Sequence, residues 1–474
     1  MEYQQEILEK TNTNNNKELT ILVTGASGFI GSRLLDELIS AQINHNNHYS
    51  IRCMTRNKNS IASHKLKNLQ KPIEIIEGDL SNYDDCLRAL KGVDIAFYLV
   101  HSMEGSSRNW KKFSEKEKIT SENFVKASNE CNVKRIIYLG GLTYGKDDEL
   151  SQHMLSRKQV GDTLMKSNAQ VTIFRAAVIL GSGGGSFEML RYLVERLPLM
   201  ICPKWVLTKC QPIFIGDVVT YLSKSIEIKE TEGRTFDIGS PDILSYLDMM
   251  KIYAKILDKS IKILIIPFLT PRLSSYWVDL VTPIKASLAR PLIDSLKHEA
   301  VVQDNSIIDI IRVELKSFQE SLQYCIIEEK KSKKNPVKTK LIKERTTMSI
   351  NYKILLVSLL LLLVIGTTYY FLDDRKAFLE PFWLSIAVIW YLLIFVSIYF
   401  VRFGARLGAL IAGILGWGSL VFWLLDNLYI VIGYPIIATI PDSDEIWRDI
   451  VGMVVAYFTI ISSHNIFNKI RLHT

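Results

Sequence analysis

The chain has 474 residues, which exceeds one ordinary domain and suits two or three. Its composition is 48% hydrophobic with a mean hydropathy of +0.13, and the apolar excess lies in the last quarter. The formal net charge of +8 comes largely from one basic run, so we expect no nucleic-acid partner. The six cysteines are scattered without a Cys-x-x-Cys pair, which argues against a disulfide framework and a zinc site, and we expect no metal.

The first ordered motif follows a polar, Asn-rich stretch at 1–17, which we predict to be a disordered leader. An apolar run at 19–24 ends at a glycine-rich turn, and a helical pattern follows. Backbone N–H groups at such a helix start can bind a pyrophosphate, so the motif predicts a nucleotide cofactor; a βα turn without a ligand is the alternative. The predicted contacts are Gly25, Ser27, Gly28, Phe29, Ile30 and Gly31.

Strand and helix patterns alternate from residue 19 to about 239, which predicts a parallel sheet covered by helices. Amphipathic stretches at 121–129 and 157–166 are typical of the helices between strands. The expected strands are 20–24, 50–55, 73–77, 94–100, 135–140 and 171–175, with a late short strand at 236–239. Residues from about 240 to 325, including 261–280 and 286–299, are predicted to be more helical and to form a small cap at the sheet's C-terminal edge.

Four nearly uncharged apolar runs then occupy the C-terminal part of the chain. Each is long enough to cross a hydrocarbon core of about 30 Å, and aromatic residues cluster near their ends. Buried helices of a soluble domain are the alternative. The predicted spans are 354–372, 382–401, 407–425 and 450–467.

Positive charges lie at those ends of the four runs that would face the same side of a membrane. A lysine-rich stretch at 328–345 precedes the first run, Arg402 and Arg406 separate the second from the third, and Lys469 follows the fourth. The positive-inside rule therefore predicts an integral membrane protein whose N-terminal domain and C-terminus are cytoplasmic, at the inner membrane if the source is bacterial. The lysine-rich stretch is either a solvated linker or a contact for anionic lipid headgroups.

The residues that follow the second and third predicted strands indicate which dinucleotide binds. Arg56 stands after the second strand, where an NAD-specific domain has an acidic residue, and an arginine can pair with a 2′-phosphate. NADP(H) is therefore favoured over NAD(H), although Arg56 could be an exposed loop charge. Asp79 and Leu80 follow the third strand, and Asp79 either accepts a bond from the adenine amino group or caps a helix beginning near Asn82.

Several short motifs resemble the atypical or extended short-chain dehydrogenase/reductases, the group with NmrA-like regulators and complex I 39-kDa-subunit-like proteins. The resemblance covers residues 19 to about 320 and implies a Rossmann-type, doubly wound α/β fold that binds NAD(P)H. The motifs are 24–31, 78–80, 96–100, 135–141, 171–175 with Gly181, and 211–217. More closely, 98–103, 182–190 and 269–277 resemble bacterial NAD(P)H-binding proteins with a C-terminal domain of unknown function, in whose place this chain has apolar spans.

The catalytic residues that the resemblance implies are missing. The family uses a Tyr, a Lys four residues later that lowers the Tyr pKa, and a Ser on a neighbouring strand. His153 stands here at the Tyr position and Arg157 at the Lys position, while the Ser position falls on Gly140 or Gly141. None of the three standard residues is present.

Substitute groups are available. His153 could act as an acid or base, since an unperturbed imidazole titrates near about pH 6.5. Arg157 could hold the nicotinamide ribose or a substrate anion, and Tyr144 offers a nearby phenol. His101 follows the fourth strand, where the nicotinamide should lie. Each also has a plain structural alternative, as a helix first-turn residue, a packing or phosphate contact, or a turn residue.

We therefore expect a membrane-anchored NAD(P)H-binding oxidoreductase-like protein acting on a small, lipophilic substrate beside the lipid bilayer. The alternative is a non-catalytic redox sensor or an assembly factor for a membrane complex. A transporter is disfavoured because the spans have hardly any ionisable residue. The expected divisions are a leader at 1–17, a Rossmann domain at 18–240, a cap at 241–327, a basic linker at 328–348 and a transmembrane domain at 349–474.

Overall fold

The structure is a computed structural model. It describes residues 19–45, 49–58, 73–100, 110–144, 147, 150–197, 199–266, 274–275, 278, 282, 284, 286–334, 350–371, 380–402, 406–428 and 443–472. The predicted leader and most of the predicted basic linker lie outside these residues. The described residues form two compact units. The first contains the described residues within Met1–Leu190, Ile201–Pro271 and Arg290–Glu328, and the second those within Arg191–Met200, Arg272–Ala289 and Glu329–Thr474.

Thirteen strands lie in the part of the chain that the structure describes. They are β1 (Leu19–Thr24), β2 (Tyr49–Thr55), β3 (Glu74–Glu77), β4 (Ile95–Tyr98), β5 (Arg135–Gly141), β6 (Gln170–Ala176), β7 (Ile179–Leu180), β8 (Leu199–Pro203), β9 (Lys209–Cys210), β10 (Ile213–Phe214), β11 (Thr235–Ile238), β12 (Leu244–Ser245) and β13 (Lys262–Ile266).

Fourteen α-helices lie among the same residues. They are α1 (Phe29–His45), α2 (Tyr83–Leu90), α3 (Trp110–Glu130), α4 (Gln152–Leu164), α5 (Gly185–Arg196), α6 (Ile215–Lys224), α7 (Tyr246–Ile256), α8 (Ala286–Ser295), α9 (Ser306–Ile310), α10 (Phe318–Lys334), α11 (Ile350–Phe371), α12 (Pro381–Arg402), α13 (Arg406–Asp426) and α14 (Ser443–Leu472).

A seven-stranded sheet with the order β11-β6-β5-β4-β1-β2-β3 forms the centre of the first unit. All of its strand pairs are parallel. The strand order reverses between β1 and β4, because β1 pairs with β2 on one side and with β4 on the other. Open parallel sheets bind ligands at this reversal, beyond the carboxyl ends of the strands. The expected doubly wound α/β fold is confirmed.

Each face of the sheet has its own apolar core, because successive residues of a strand point to opposite faces. Ile21 and Val23 of β1 pack on the face that α1 and α6 cover, whereas Leu22 packs on the face that α2, α3 and α4 cover. All three side chains are fully buried. The continuous apolar strands of the sequence are thus explained by helices on both faces.

The region predicted as a helical cap contains two strands, the short β12 and the five-residue β13. Residues 261–280 were expected to be helical, but Lys262–Ile266 forms strand β13. Four of these five residues are isoleucine or leucine, and β-branched isoleucine favours the extended backbone. The expected helix at 286–299 is present as α8, and α10 continues to Lys334, seven residues into the expected linker.

The second unit contains four helices that are long and apolar enough to cross a membrane by length and composition. These candidate spans are Asn351–Thr368, Pro381–Val401, Arg406–Asp426 and Ile446–Phe467, and each contains most of a run that the sequence predicted. Many of their large apolar side chains are exposed, including Leu392 at 59% and Phe395 at 58%. An apolar exposed surface of this kind is expected of lipid-facing helices rather than of a soluble domain.

Small residues hold α13 and α14 close together. A Cβ added at Gly416 would lie 3.2 Å from the carbonyl oxygen of Ala456, and the Ser463 hydroxyl donates to the carbonyl of Ala409. Close approach over small residues and hydrogen bonds from serine are typical of helix pairs in membranes. Ionisable residues are nevertheless buried near the ends of these helices, where Asp449 accepts from Asn427 at 2.8 Å.

A buried arginine joins β5 to its neighbours. Arg135 is 3% exposed, and its Nη2 donates to the Thr172 hydroxyl at 3.1 Å and to the Thr231 hydroxyl. Glu232 lies 3.7 Å from Nη1. Burial lowers the pKa of Arg135, and the Glu232 charge opposes that effect. The guanidinium therefore links β5 to β6 and to the segment before β11.

We expect Arg135→Ala to lower the free energy of unfolding of the first unit by about 3 kcal/mol, because it leaves a cavity and removes the donor to the buried Thr172 and Thr231 hydroxyls. The measurement is pulse proteolysis of the detergent-purified chain across a urea series. The control is Lys134→Ala, whose side chain is 64% exposed in an ion pair with Asp94. A loss of no more than about 1 kcal/mol is expected there. Equal losses for the two variants would contradict a structural role for the buried guanidinium.

Candidate functional site

The glycine turn connects β1 to α1 with a specific backbone conformation. Gly25 has φ of +67°, in the left-handed region that favours glycine. The Gly28 N–H donates to the Gly25 carbonyl at 2.9 Å, and the Ser32 N–H donates to the Gly28 carbonyl at 3.0 Å. The turn therefore closes on itself, and α1 begins directly after it at Phe29.

The tightest contact of the turn is between Gly31 and Gly25. A Cβ added at Gly31 would lie 2.3 Å from the carbonyl oxygen of Gly25, far inside van der Waals contact. At Gly28, an added Cβ would lie 3.1 Å from the same oxygen. The first turn of α1 can pack on the glycine turn only because these side chains are absent. A pyrophosphate fits such a site, where backbone N–H groups at a helix start are accessible.

Thr24, which the sequence analysis did not single out, fixes the turn to the neighbouring strand. Its buried hydroxyl donates to the Phe97 carbonyl at 2.9 Å and accepts from the Leu99 N–H at 3.1 Å. A Cβ added at Gly25 would lie 3.0 Å from the Leu99 carbonyl oxygen. The turn therefore lies at the reversal of strand order between β1 and β4. A threonine immediately before the first glycine was the only sequence signal for this role.

The Phe29 ring packs against a second glycine-rich loop, at 181–184. Added Cβ atoms at Gly181 and Gly184 would lie 2.8 Å and 2.6 Å from Cζ of Phe29. The Arg33 guanidinium covers the same ring at 4.7 Å and donates to the Ser182 carbonyl at 2.6 Å. Phe29 thus holds the second loop with its side chain. Ile30 is half-buried beside it and packs against the core on the α1 face.

Arg56 and Asp79 lie at the carboxyl ends of the adjacent strands β2 and β3. Arg56 is exposed, and the Gly78 N–H donates to the Thr55 carbonyl at 3.0 Å. Partial burial raises the pKa of Asp79, but hydrogen bonds from Ser81 and the charges of Lys116 and Arg56 lower it overall. The structure therefore brings both residues to the edge where the adenosine part of a dinucleotide binds in this fold.

Asp79 does not cap α2 directly. Its Oδ1 accepts from the Ser81 N–H at 2.9 Å, whereas the N-cap of α2 is Asn82, whose side chain accepts from Asp84. Leu80 is 5% exposed and belongs to the core on the α2–α4 face, so its side chain is not available to a ligand. Ser27 is exposed on the turn, and His101 lies outside the described residues.

Arg157 faces β5 from α4. Its guanidinium lies 4.9 Å from the Tyr138 ring centroid, and Nη2 donates to the Leu139 carbonyl. The Tyr138 hydroxyl in turn donates to the Arg157 carbonyl at 3.0 Å. Nη1 is buried and has no hydrogen-bond partner among the described residues. Arg157 therefore has one buried donor group without an acceptor beside the carboxyl end of β5, at the position that the resemblance assigns to lysine.

Met154 fills the space beside the family's serine position. A Cβ added at Gly141 would lie 2.9 Å from Cε of Met154 and 3.8 Å from Cβ of Arg157. A serine side chain could not enter without moving Met154. His153 lies half-buried in the first turn of α4, which Ser151 caps, and shares a helix face with Arg157 four residues later. The hydroxyl of the standard site is thus replaced by a thioether and a glycine.

Tyr144 lies in a separate polar cluster at the carboxyl ends of β6 and β11. The Arg175 guanidinium lies 5.2 Å from its ring centroid, and the Gln303 N–H donates to its hydroxyl at 3.0 Å. Arg175 pairs with Asp237 at 2.7 Å. Burial raises the pKa of Asp237, and N–H groups of Asp304 and Gln303 oppose that effect. The structure brings His153 and Arg157 together, whereas Tyr144 is engaged in this cluster.

No group of three or more His, Cys, Asp or Glu side chains in the described part of the chain could hold a metal ion. The thiols of Cys53, Cys86, Cys202 and Cys210 have pKa values raised by burial. Such thiols are poor nucleophiles and poor ligands at neutral pH.

Comparison with known proteins supports the dinucleotide assignment. Residues 21–164 match the NAD dependent epimerase/dehydratase family. The chain is 22% identical over 256 residues to the chloroplastic divinyl chlorophyllide a 8-vinyl-reductase of Cucumis sativus, covering 52% of this chain and 58% of that one. It is also 22% identical over 264 residues to the photosystem II assembly factor Ycf39 of Trieres chinensis, covering 54% and 75%. The chain therefore spans little more than half the length of the first relative.

Two solved structures share the fold. The Citrobacter sp. triphenylmethane reductase complexed with NADP(H) has a TM-score of 0.50 at 17% identity, covering 65% of this chain and all of its own. The Bordetella bronchiseptica enzyme WbmG in complex with NAD has a TM-score of 0.50 at 14% identity, covering 67% and 96%. Residues 21–164 therefore match the NAD dependent epimerase/dehydratase family, the region around them shares the fold of these two structures, and four apolar helices follow it.

Proposed function

We propose that this protein is a membrane-anchored NAD(P)H-dependent oxidoreductase that prefers NADP(H) and acts on a small substrate. The observation on which the proposal rests is the Gly31–Gly25 contact, which brings the start of α1 against the glycine turn, where helix N–H groups can bind a pyrophosphate. Membrane anchoring by the four apolar helices favours a lipophilic substrate. The basic residues at 328–345, at Arg402 and Arg406, and at Lys469 favour a cytoplasmic first unit and C-terminus.

The charges beside β2 and β3 support the preference for NADP(H). Arg56 is exposed at the end of β2 and has a fixed positive charge that suits a 2′-phosphate. Asp79 lies one strand away and, through Ser81, keeps its carboxylate in a defined place. Its position allows it to accept from the adenine amino group.

The chain's own residues could support reduction without the standard Tyr–Lys pair. Bound NADPH supplies a hydride at its nicotinamide ring. The free Nη1 donor of Arg157 would hold the nicotinamide ribose or an anionic group of the substrate. His153, on the same face of α4, would hold the proton that the substrate needs. Met154 and the Tyr138 ring would limit water access beside β5.

A second candidate is a non-catalytic NAD(P)H-binding module, either a redox sensor or an assembly factor. It is favoured by the side-chain substitutions at the standard site: Met154 beside Gly141, and an arginine with Nη2 committed to the Leu139 carbonyl. The two relatives named above include one reductase and one assembly factor, so they support either candidate.

We expect Gly31→Ala to abolish NADPH binding, because the added methyl would collide with the backbone of Gly25. The measurement is NADPH fluorescence titration of the detergent-purified chain. The control is Gly161→Ala in α4, where an added Cβ lies 3.4 Å from Ile173 in ordinary contact. Undiminished affinity in Gly31→Ala would show that the turn does not bind the dinucleotide.

We expect Arg56→Ala to weaken NADPH binding about tenfold while leaving NADH binding unchanged, because one guanidinium–phosphate pair is lost. Isothermal titration calorimetry with both dinucleotides measures the ratio of the NADPH and NADH dissociation constants. The control is Lys58→Ala, an exposed cation two residues further along the chain. Equal loss for NADPH and NADH, or a similar effect at Lys58, would contradict a specific contact with the 2′-phosphate.

We expect the purified chain to oxidise NADPH in the presence of quinones, aldehydes or ketones, and His153→Ala to slow that oxidation about a hundredfold with unchanged NADPH affinity. The control is Gln152→Ala, its exposed neighbour, with an unchanged rate. Binding of NADPH without sustained consumption would favour the non-catalytic module. An unaffected rate in His153→Ala would remove His153 from the catalytic role.

A further inference from the structure

Two arginines enclose one tyrosine ring at the end of α5, in the part of that helix that belongs to the second unit. The Arg191 guanidinium lies 4.4 Å from the Tyr192 ring centroid, and the Arg196 guanidinium lies 4.7 Å from it. Each arginine can make a cation–π interaction with the ring. The arrangement concentrates two positive charges around one aromatic side chain.

The two arginines differ in their counter-ions. Arg191 pairs with the carboxylate of Glu329. Arg196 makes no ion pair in the described part of the second unit, and its Nη1 is buried without a hydrogen-bond acceptor among the same residues. Burial lowers the pKa of Arg196, the charge of Arg191 acts in the same direction, and Tyr192, Glu195 and Tyr352 oppose these effects. An arginine stays protonated even so, and an anionic acceptor would complete the hydrogen bonding of its Nη1 donor.

Arg196 lies at the ends of two candidate spans. The Tyr399 hydroxyl, near the end of α12, donates to the Arg196 carbonyl at 2.9 Å. Tyr352, in the first turn of α11, is close enough to act electrostatically on the Arg196 guanidinium. Tyrosines at the ends of apolar helices lie at the level of lipid headgroups. Both helix ends are on the side predicted to be cytoplasmic.

An exposed apolar stripe runs along α12 to this cluster. Leu392, Phe395, Val396 and Tyr399 are 59%, 58%, 39% and 37% exposed. Their spacing of three, one and three residues puts them on one helix face. An acyl chain could follow this face while a phosphate at its end reaches Arg196.

We propose that Arg196, with Tyr192 and Tyr399, forms a binding site for the phosphate of an anionic phospholipid headgroup. The proposal rests on the membrane anchoring proposed above. A guanidinium beside a phosphate forms charge-assisted hydrogen bonds, and basic sites between helix ends on the cytoplasmic side are where anionic headgroups bind. A free phosphate offers the same acceptor atoms, but the apolar stripe on α12 favours a ligand with acyl chains.

The test uses the full chain purified in mild detergent. Native mass spectrometry measures retention of dioleoyl phosphatidylglycerol against dioleoyl phosphatidylcholine. We expect the wild-type chain to retain phosphatidylglycerol preferentially, and Arg196→Ala to lose that preference about tenfold. Arg196→Lys, which retains the charge, should keep part of the preference for phosphatidylglycerol. This variant replaces Arg196→Ala in the test if Arg196→Ala does not fold.

The matched control is Lys353→Ala, an exposed cation next to Tyr352 at the same span end. It should leave the preference unchanged, because its charge would contribute only general attraction. Equal loss in Arg196→Ala and Lys353→Ala would overturn the specific site. Displacement of the lipid by millimolar inorganic phosphate would overturn the lipid assignment.

Membrane anchoring is checked separately by an alkaline carbonate wash of cell membranes. Retention of the protein in the washed membranes, together with no preference for phosphatidylglycerol, would contradict the lipid site alone. Release of the protein by the wash would contradict the anchoring on which the site depends.

Discussion

The contact between Gly31 and the Gly25 carbonyl is the constraint on which the dinucleotide site depends. An approach that leaves only 2.3 Å for an added Cβ brings the first turn of α1 against the end of β1. Thr24 then fixes that turn to β4 through its hydroxyl. Three glycines and one threonine therefore place helix N–H groups at the reversal of strand order. Binding is determined by backbone geometry, which explains how side chains elsewhere in the site can depart from the family.

The side chains at the carboxyl end of β5 show that departure. An Oγ at position 141 would have to displace Met154, and the Arg157 guanidinium already donates to the Leu139 carbonyl. A lysine could lower the pKa of a neighbouring phenol and change its own protonation, but an arginine remains charged. The residues at the positions that the resemblance assigns thus differ from the family's Tyr and Lys. In the proposed reduction the proton would come from another group, and His153 lies on the same helix face as Arg157.

The sequence predicted the sheet well because each strand is a β-branched apolar run bounded by polar turns. Expected strands at 20–24 and 50–55 correspond to β1 and β2 within one residue. The four apolar runs predicted the four candidate spans equally well. Contacts between distant segments could not be predicted from local patterns. The Arg33 guanidinium donates to the carbonyl of Ser182, 149 residues later in the sequence. The Arg175 guanidinium donates to the carboxylate of Asp237, 62 residues later. The strand β13 was missed because an apolar run of five residues fits a helix or a strand.

Both units contain buried guanidinium donors without an acceptor among the described residues. In the first unit, Arg135 donates to the Ile226 carbonyl and the Thr172 hydroxyl, but its Nε has no acceptor there. In the second, Arg191 has Glu329, whereas the Nη1 donor of Arg196 has no acceptor among the described residues. A buried donor without an acceptor costs about 1–3 kcal/mol. Arg196 lies at the ends of two apolar helices, so the phosphate of a bound lipid would supply the acceptor that its Nη1 lacks.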